Sequence, residues 1–222
     1  MIKEACVETF EEAVLAEKRG ANRIELCPDL ADDGLTPSSE LMEKTCSALK
    51  IPVMVMIRPR AGNFVYSEEE IDQMKNEIGL AKKAGAAGVV FGLLTKENQI
   101  DGKNTKLLAE YAHPLPVTFH KAIDILEDTA EGAEILCKIP GIKRILTSGG
   151  KPTAMEGKDS IVKMMETAKD KITILVAGKV LDSNVEEIQK LTGAEEFHGR
   201  RIVGELKKSS SRLQLAVMVT KQ

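Results

Sequence analysis

The sequence lacks a charge excess of either sign. Its 222 residues carry 31 Lys and Arg against 34 Asp and Glu, a formal net charge of -3. A chain without a basic bias has no electrostatic footprint for a phosphate backbone, so nucleic acid is excluded as the expected partner. The basic doublets, Arg200-Arg201 and Lys207-Lys208, read as solvated faces. There is no run of about 18 apolar residues, which excludes a membrane-spanning helix. The opening Met1-Ile2-Lys3-Glu4 has an early acid and no apolar stretch after it, unlike a secretory leader. A cytoplasmic location is the expectation. Cysteine is scarce: Cys6, Cys27, Cys46 and Cys137. In a reducing compartment these are buried small hydrophobes, metal ligands or reactive thiols rather than disulfides. Also missing are Cys-x-x-Cys, His-x-x-His and His-Glu-x-x-His spacings, so no metal site follows from a motif.

What is present is ordinary globular composition, 43% apolar and 29% charged. Short β-type runs alternate with amphipathic stretches. The strand candidates are Ile2–Val7, Arg23–Cys27, Pro52–Arg58, Gly88–Gly92, Pro116–His120, Lys143–Ser148, Ile172–Ala177 and Glu195–His198. Helical patterns fall at Phe10–Arg19, Ser38–Leu49, Ser67–Ala84, Thr129–Cys137, Thr153–Lys169 and Ser183–Leu191. Ser67 ahead of Glu68, Glu69 and Glu70 is a helix start by capping and by the dipole. Gly20, Gly85 and Gly193 mark helix ends, each followed by Ala and then a strand. Such alternation argues for a parallel sheet, and eight strands are the number that closes a barrel. The rival open dinucleotide-binding sheet carries a Gly-rich turn after its first strand. Here that strand runs into Cys6-Val7-Glu8-Thr9. The fold class expected is therefore α/β, a TIM (β/α)8-type barrel, with residues 1–222 as one domain. The tail beyond about Glu205, polar over Lys207–Arg212 and mostly apolar over Leu213–Val219, has no assigned place in it.

Side chains alternate across a strand. With Ala5, Val7, Ile24, Leu26, Val53, Val55, Ile57, Val117 and Phe119 turned to the helices, the lumen receives the others. These are Glu4, Cys6 and Glu8, then Arg23, Glu25 and Cys27, then Met54, Met56 and Arg58, and finally Thr118, His120, Glu196 and His198. A structural lumen would be filled with branched apolar residues, and unpaired buried charge is costly. The deeper groups, Glu4, Glu8, Arg23 and Glu25, read as an ion-pair network or as function. Glu8, Arg58, Arg60, His120, Asp124, Ser148 and His198 fall at or past the strands' C-terminal ends, where barrel sites are built.

Three clusters have chemical uses. Arg58 and Arg60 flank Pro59 and are suited to gripping a carboxylate or phosphate, or to ion pairing in a loop. Ser148-Gly149-Gly150 lies between a strand and Thr153 and can present backbone N–H groups to an anion, as many such turns do not. His120 and Asp124, with Glu25 and His198, compose an acid/base set. Cys6 and Cys27 on neighbouring strands, with Met54 and Met56 on the third, are soft ligands of the kind Cu(I) takes, though core packing is the commoner use of such residues.

Taken in order, several segments resemble the CutC family: Arg23-Ile24-Glu25-Leu26-Cys27, Gly34-Leu35-Thr36-Pro37-Ser38, and Pro52 to Arg60 followed by Phe64-Val65-Tyr66-Ser67. Thr118-Phe119-His120, Leu146-Thr147-Ser148-Gly149-Gly150 and Phe197-His198-Gly199 complete the set. The resemblance implies a TIM barrel, a cytoplasmic location, an association with copper, and a shared pocket at Glu25, Arg58, His120 and Ser148. The chain departs from the family pattern at Pro28-Asp29, Asp33, Ala61, Lys121, Ala177-Gly178-Lys179 and Arg200-Arg201. Two functions are expected to compete. One is copper homeostasis with Cu(I) on Cys6 and Cys27. The other is a barrel enzyme acting on a small anionic molecule by acid/base chemistry, with Glu8, Arg58, Arg60 and the Ser148–Gly150 turn binding it. A Schiff-base variant through Lys121 or Lys179 is weaker, because strand parity turns Lys121 away from a lumen that His120 faces. A homo-oligomer is compatible with either.

Overall fold

Each strand is short, β-rich and bounded by turn residues, and each is too apolar on its outer face to remain in water. In the computed structural model, which describes residues 1–206, eight such strands pair in parallel and in sequence order into a closed barrel. They are β1 (Ile2–Val7), β2 (Arg23–Leu26), β3 (Val53–Met56), β4 (Gly88–Phe91), β5 (Val117–Phe119), β6 (Ile142–Thr147), β7 (Thr173–Val176) and β8 (Glu196–Gly199). Closure comes from β8 on β1, with Ile2 opposite Glu196 and Glu4 opposite His198. Among the described residues seven α-helices pack outside: α1 (Phe10–Lys18), α2 (Ser39–Ala48), α3 (Glu68–Lys83), α4 (Gly102–Ala112), α5 (Thr129–Leu136), α6 (Lys158–Ala168) and α7 (Val185–Thr192). The polar and apolar stretches of the tail from Lys207 onward lie outside the described residues.

The caps work as their residue types dictate. Ser67 accepts from the Glu70 N–H while the Glu70 carboxylate accepts from the Ser67 N–H, a reciprocal box that starts α3. The buried face of that helix is Ile71, Met74, Ile78 and Ala81, spaced by three and four residues. At its other end α7 stops on Gly193 in the left-handed region. Two helices differ from the sequence reading. The helix α4, capped by the Asp101 side chain, was not among the expected patterns. The helix α6 starts at Lys158 rather than Thr153, because residues 151–157 form turns against the Ser148–Gly150 segment. A Cβ on Gly157 would stand 1.9 Å from the Ser148 carbonyl oxygen, so glycine is required where the two segments touch.

Among the described residues three apolar regions result, the smallest being Leu146, Leu175 and Ala177. The largest, between sheet and helices, holds Val7, Ile24, Leu26, Val55, Phe91, Phe119 and Phe197, all fully buried. A separate lumenal group holds Cys6, Cys27, Met54, Met56 and Val90. Met54 packs against Gly88, its register partner on the neighbouring strand, where a Cβ would lie 2.2 Å from the Met54 methyl. Polar residues share this level of the lumen, with Glu25 in register with Cys6 and Met54 and Thr118 with Val90.

Candidate functional site

The lower lumen is an ion-pair network. Arg23 donates through Nε to Glu4 and through Nη2 to Glu196 at 2.6 Å, and Arg144 reaches the same Glu196 oxygen at 2.9 Å. Glu4 also holds His198 Nδ1 at 2.8 Å. Burial works against the Glu4 charge, but His198 and Arg23 outweigh it and hold the carboxyl at about 2. His198 sits between two carboxylates, Glu4 and, at 3.7 Å from Nε2, Glu25. Burial lowers its pKa, and the Glu25 and Glu4 charges with the neighbouring Cys6 reverse that and raise it well above the ordinary value. His198 is therefore an imidazolium fixed in a network, not a titrating acid/base group near neutrality. The expected network of Glu4, Glu8, Arg23 and Glu25 is redrawn: Glu196 and Arg144 join it, and Glu8 leaves it.

Above the network the mouth opens into a cavity of about 370 Å³. Its polar lining is Cys6, Glu25, Cys27, Asp33, Arg58, His120, Lys121 and His198, and its apolar lining is Leu30, Met56, Phe64, Ile125 and Leu146. A larger groove of about 560 Å³ runs along the outer face of α1, but it lacks converging buried polar groups. The barrel mouth is the candidate site on chemical grounds.

On one wall, the Cys6 thiol approaches a Glu25 oxygen at 3.4 Å. The ligating atoms of Cys6, Glu25 and Cys27 lie within 4.8 Å of one another. Contact between the two thiols raises Cys6 and lowers Cys27, while burial raises both, so that each ends above the ordinary thiol range. Burial likewise raises Glu25. Its Oε1 is buried without a hydrogen-bond partner among the described residues.

Arg58, at the end of the neighbouring β3, and His120 and Lys121, past the end of β5, complete the polar lining. The backbone leaves β5 after Phe119 and turns into a 3-10 segment, Lys121–Ile125, that His120 caps by accepting the Ala122 N–H on Nδ1. With Nδ1 an acceptor, the ring proton resides on Nε2, which is buried and has no partner among the described residues. Burial, with the Arg58 charge beside it, lowers His120 to about 3. It is a neutral imidazole held as a donor. Arg58 gives Nη1 to the carbonyls of Asp32 (2.6 Å) and Gly34 (2.9 Å) and Nη2 to that of Gly62 (2.9 Å), and lies over the Phe64 ring. It makes no ion pair with a carboxylate among the described residues.

Several sequence expectations need correction. Arg60 does not join Arg58 at the cavity. Its guanidinium pairs with Glu70 at 2.5 Å and binds the Val65 carbonyl at 2.7 Å, tying the loop to the start of α3. The Ser148-Gly149-Gly150 turn does present its N–H groups to an anion, but that anion is Asp124. Asp124 accepts from the N–H of Ser148 (3.0 Å) and of Gly150 (2.9 Å) and from the Ser148 hydroxyl (2.9 Å). Gly149 N–H goes to Thr147 Oγ1. Those donors are used up, and Asp124 is a turn-holding carboxylate rather than an acid/base group. Burial opposes its charge, and Lys121, Thr147 and Gly150 keep its pKa low. Glu8 pairs with Arg200 and accepts the Leu30 N–H at 3.1 Å, at the rim instead of in the cavity. Lys121, set aside on strand parity, does line the cavity, because parity ends where the 3-10 turn begins. Its Nζ reaches Ser148 Oγ at 2.6 Å and Asp124 at 2.8 Å. The other lysine considered for a Schiff base, Lys179, is not in the cavity lining. In the sequence Lys121 stood out as a departure from the family pattern and as one of two lysines weighed for a Schiff base.

An eight-stranded parallel barrel with a thiol-bearing polar cavity at its C-terminal mouth defines the class. The match that narrows it is the CutC family model, which covers residues 1–203. The copper homeostasis protein cutC homolog of Homo sapiens is 44% identical over 197 residues, 89% of this chain and 72% of that protein. A CutC family protein of Treponema denticola is 43% identical over 195 residues, 88% of this chain and 79% of that one. This chain belongs to the CutC family. A crystal structure described as a CutC protein from Streptococcus agalactiae superposes with a TM-score of 0.86 at 33% identity, over 91% of this chain and 99% of that one. An aldolase, at a TM-score of 0.68 and 14% identity over 93% of this chain and 92% of its own, shares the barrel fold alone. Among the described residues no helix is long and apolar enough to cross a membrane.

Proposed function

We propose that this chain serves copper homeostasis in the cytoplasm by holding Cu(I) between Cys6 and Cys27. The observation that carries this reading is the pair of buried thiols facing each other in the cavity, with Met54 and Met56 packed against them. Thiolate and thioether are the donors that select Cu(I) over harder divalent ions. The charge also balances: Cu(I) on two thiolates carries one net negative charge, and the His198 imidazolium lies beside Cys6. A reducing compartment keeps both thiols available. The names of the relatives, copper homeostasis proteins, agree with this chemistry.

Both thiols are protonated when the metal is absent, so binding releases protons and affinity rises with pH. The test is competition with a Cu(I) chelator under reducing conditions, using wild type and the Cys6→Ser, Cys27→Ser double variant. Loss of more than about 100-fold in affinity is expected on removing both ligands, a larger effect than the loss of an outer-shell group. Equal affinity in the two proteins would remove the thiol pair from the reading.

A further inference from the structure

The cavity that holds the thiols also contains polar atoms that copper does not need. His120 Nε2–H is a buried donor and Glu25 Oε1 a buried acceptor, both on residues lining the cavity and both without partners among the described residues. Such groups are expensive to bury unless something completes them. Beside His120 lies Arg58, a buried guanidinium that neutralises no carboxylate among the described residues and whose Nε is also unpartnered. Lys121 adds a second cation at the mouth, with two of its three N–H donors engaged by Ser148 and Asp124. His120, Arg58 and Lys121 thus gather N–H donors on a lining that also carries Asp33, and the Glu25 acceptor there is unpaired.

We infer that the cavity is a receptor for a small hydroxy acid with an apolar body, its carboxylate on His120 Nε2 and Lys121 Nζ and its hydroxyl donated to Glu25 Oε1. The donor count selects a carboxylate over a phosphate. The turn amides that would have cradled phosphate oxygens are occupied by Asp124, and Arg58 has given both Nη atoms to backbone carbonyls. What remains suits the two oxygens of one carboxylate. The apolar body is accommodated by Leu30, Phe64 and Ile125, and a cavity of about 370 Å³ is at the small-molecule end of the size range for ligand sites. This goes beyond the copper reading and does not rest on it.

The experiment is a thermal-shift titration of copper-free protein, kept with a chelator, using mandelate, phenylacetate, mandelamide and inorganic phosphate as probes. A ligand that binds only the folded state raises the melting temperature with the logarithm of its concentration. Mandelate is expected to stabilise most, phenylacetate less because it lacks the hydroxyl, and mandelamide and phosphate not at all. His120→Asn preserves the cap on Ala122 and deletes the Nε2 donor, and should abolish the mandelate response. Lys121→Ala, at a half-exposed position that keeps the fold accessible if the His120 variant is unstable, should weaken mandelate about tenfold, as one charge-assisted hydrogen bond implies. Arg60→Ala, outside the cavity, should respond like wild type. The inference is overturned if mandelate gives no shift, if phosphate or mandelamide matches it, or if Lys121→Ala retains the full response. Because copper is absent throughout, failure here leaves the thiol-pair result standing, and the reverse.

Discussion

The neutrality of His120 has a consequence for stability that can be read quantitatively. An ordinary histidine titrates at 6.5, and here burial and the Arg58 charge lower it to about 3. The unfolded chain therefore binds a proton more readily than the folded one. The contribution is fully present above the unfolded value and is lost as pH falls from there toward the folded value. Between about pH 7.5 and pH 5 the loss amounts to roughly 2 kcal/mol, about one and a half pKa units at 1.36 kcal/mol each. His198 acts in the opposite sense. Its pKa is raised, so its stabilisation is complete below the unfolded value and fades as pH rises. Wild type alone would show the two partly cancelled. The informative quantity is the difference between wild type and His120→Asn, measured by urea unfolding at both pH values with the slope checked for equality. The penalty of the substitution should shrink by about 2 kcal/mol on going from pH 7.5 to pH 5. A penalty that is the same at both values would refute the desolvated, neutral imidazole, and with it the tautomer argument that leaves Nε2 a donor.

Two further substitutions test the parts around it. Asp124→Ala strips the partners from the Ser148 and Gly150 N–H groups and the Thr147 hydroxyl, so a destabilisation of about 3 kcal/mol or more is expected in urea; a cost under about 1 kcal/mol would mean that the turn does not depend on that carboxylate. Arg23→Met leaves Glu4 and Glu196 facing each other without their shared guanidinium, and should cost about 3–5 kcal/mol, reduced when Glu4 and Glu196 are also replaced by apolar residues. An unchanged melting temperature in the single variant would show that the lower network is not needed to balance those charges.

How much of this was legible in the sequence follows from the range over which each rule acts. Alternation of side chains is a property of one strand, and it correctly turned Cys6, Glu25, Met54, His120 and His198 inward and Ile24, Val55 and Phe197 outward. The cap at Ser67 and the stop at Gly193 are decided within one helical turn. Eight strands between helices closed into a barrel because that is the arrangement that buries both faces of a parallel sheet of this number. Parity failed at Lys121 where the strand ended, since a 3-10 turn does not alternate. Local rules were also silent on which partner a polar group takes. Arg58 and Arg60 are two residues apart, yet one enters the cavity and the other is held by Glu70 on α3. The amides of Ser148 and Gly150 look ready for a ligand until Asp124, 24 and 26 residues earlier in the chain, is brought onto them. Sequence determined the barrel and the residue types that face its lumen, because secondary structure and burial follow from periodicity. Only the tertiary structure decided which of those polar groups are already satisfied, because a hydrogen bond depends on distances that loops of different strands set together.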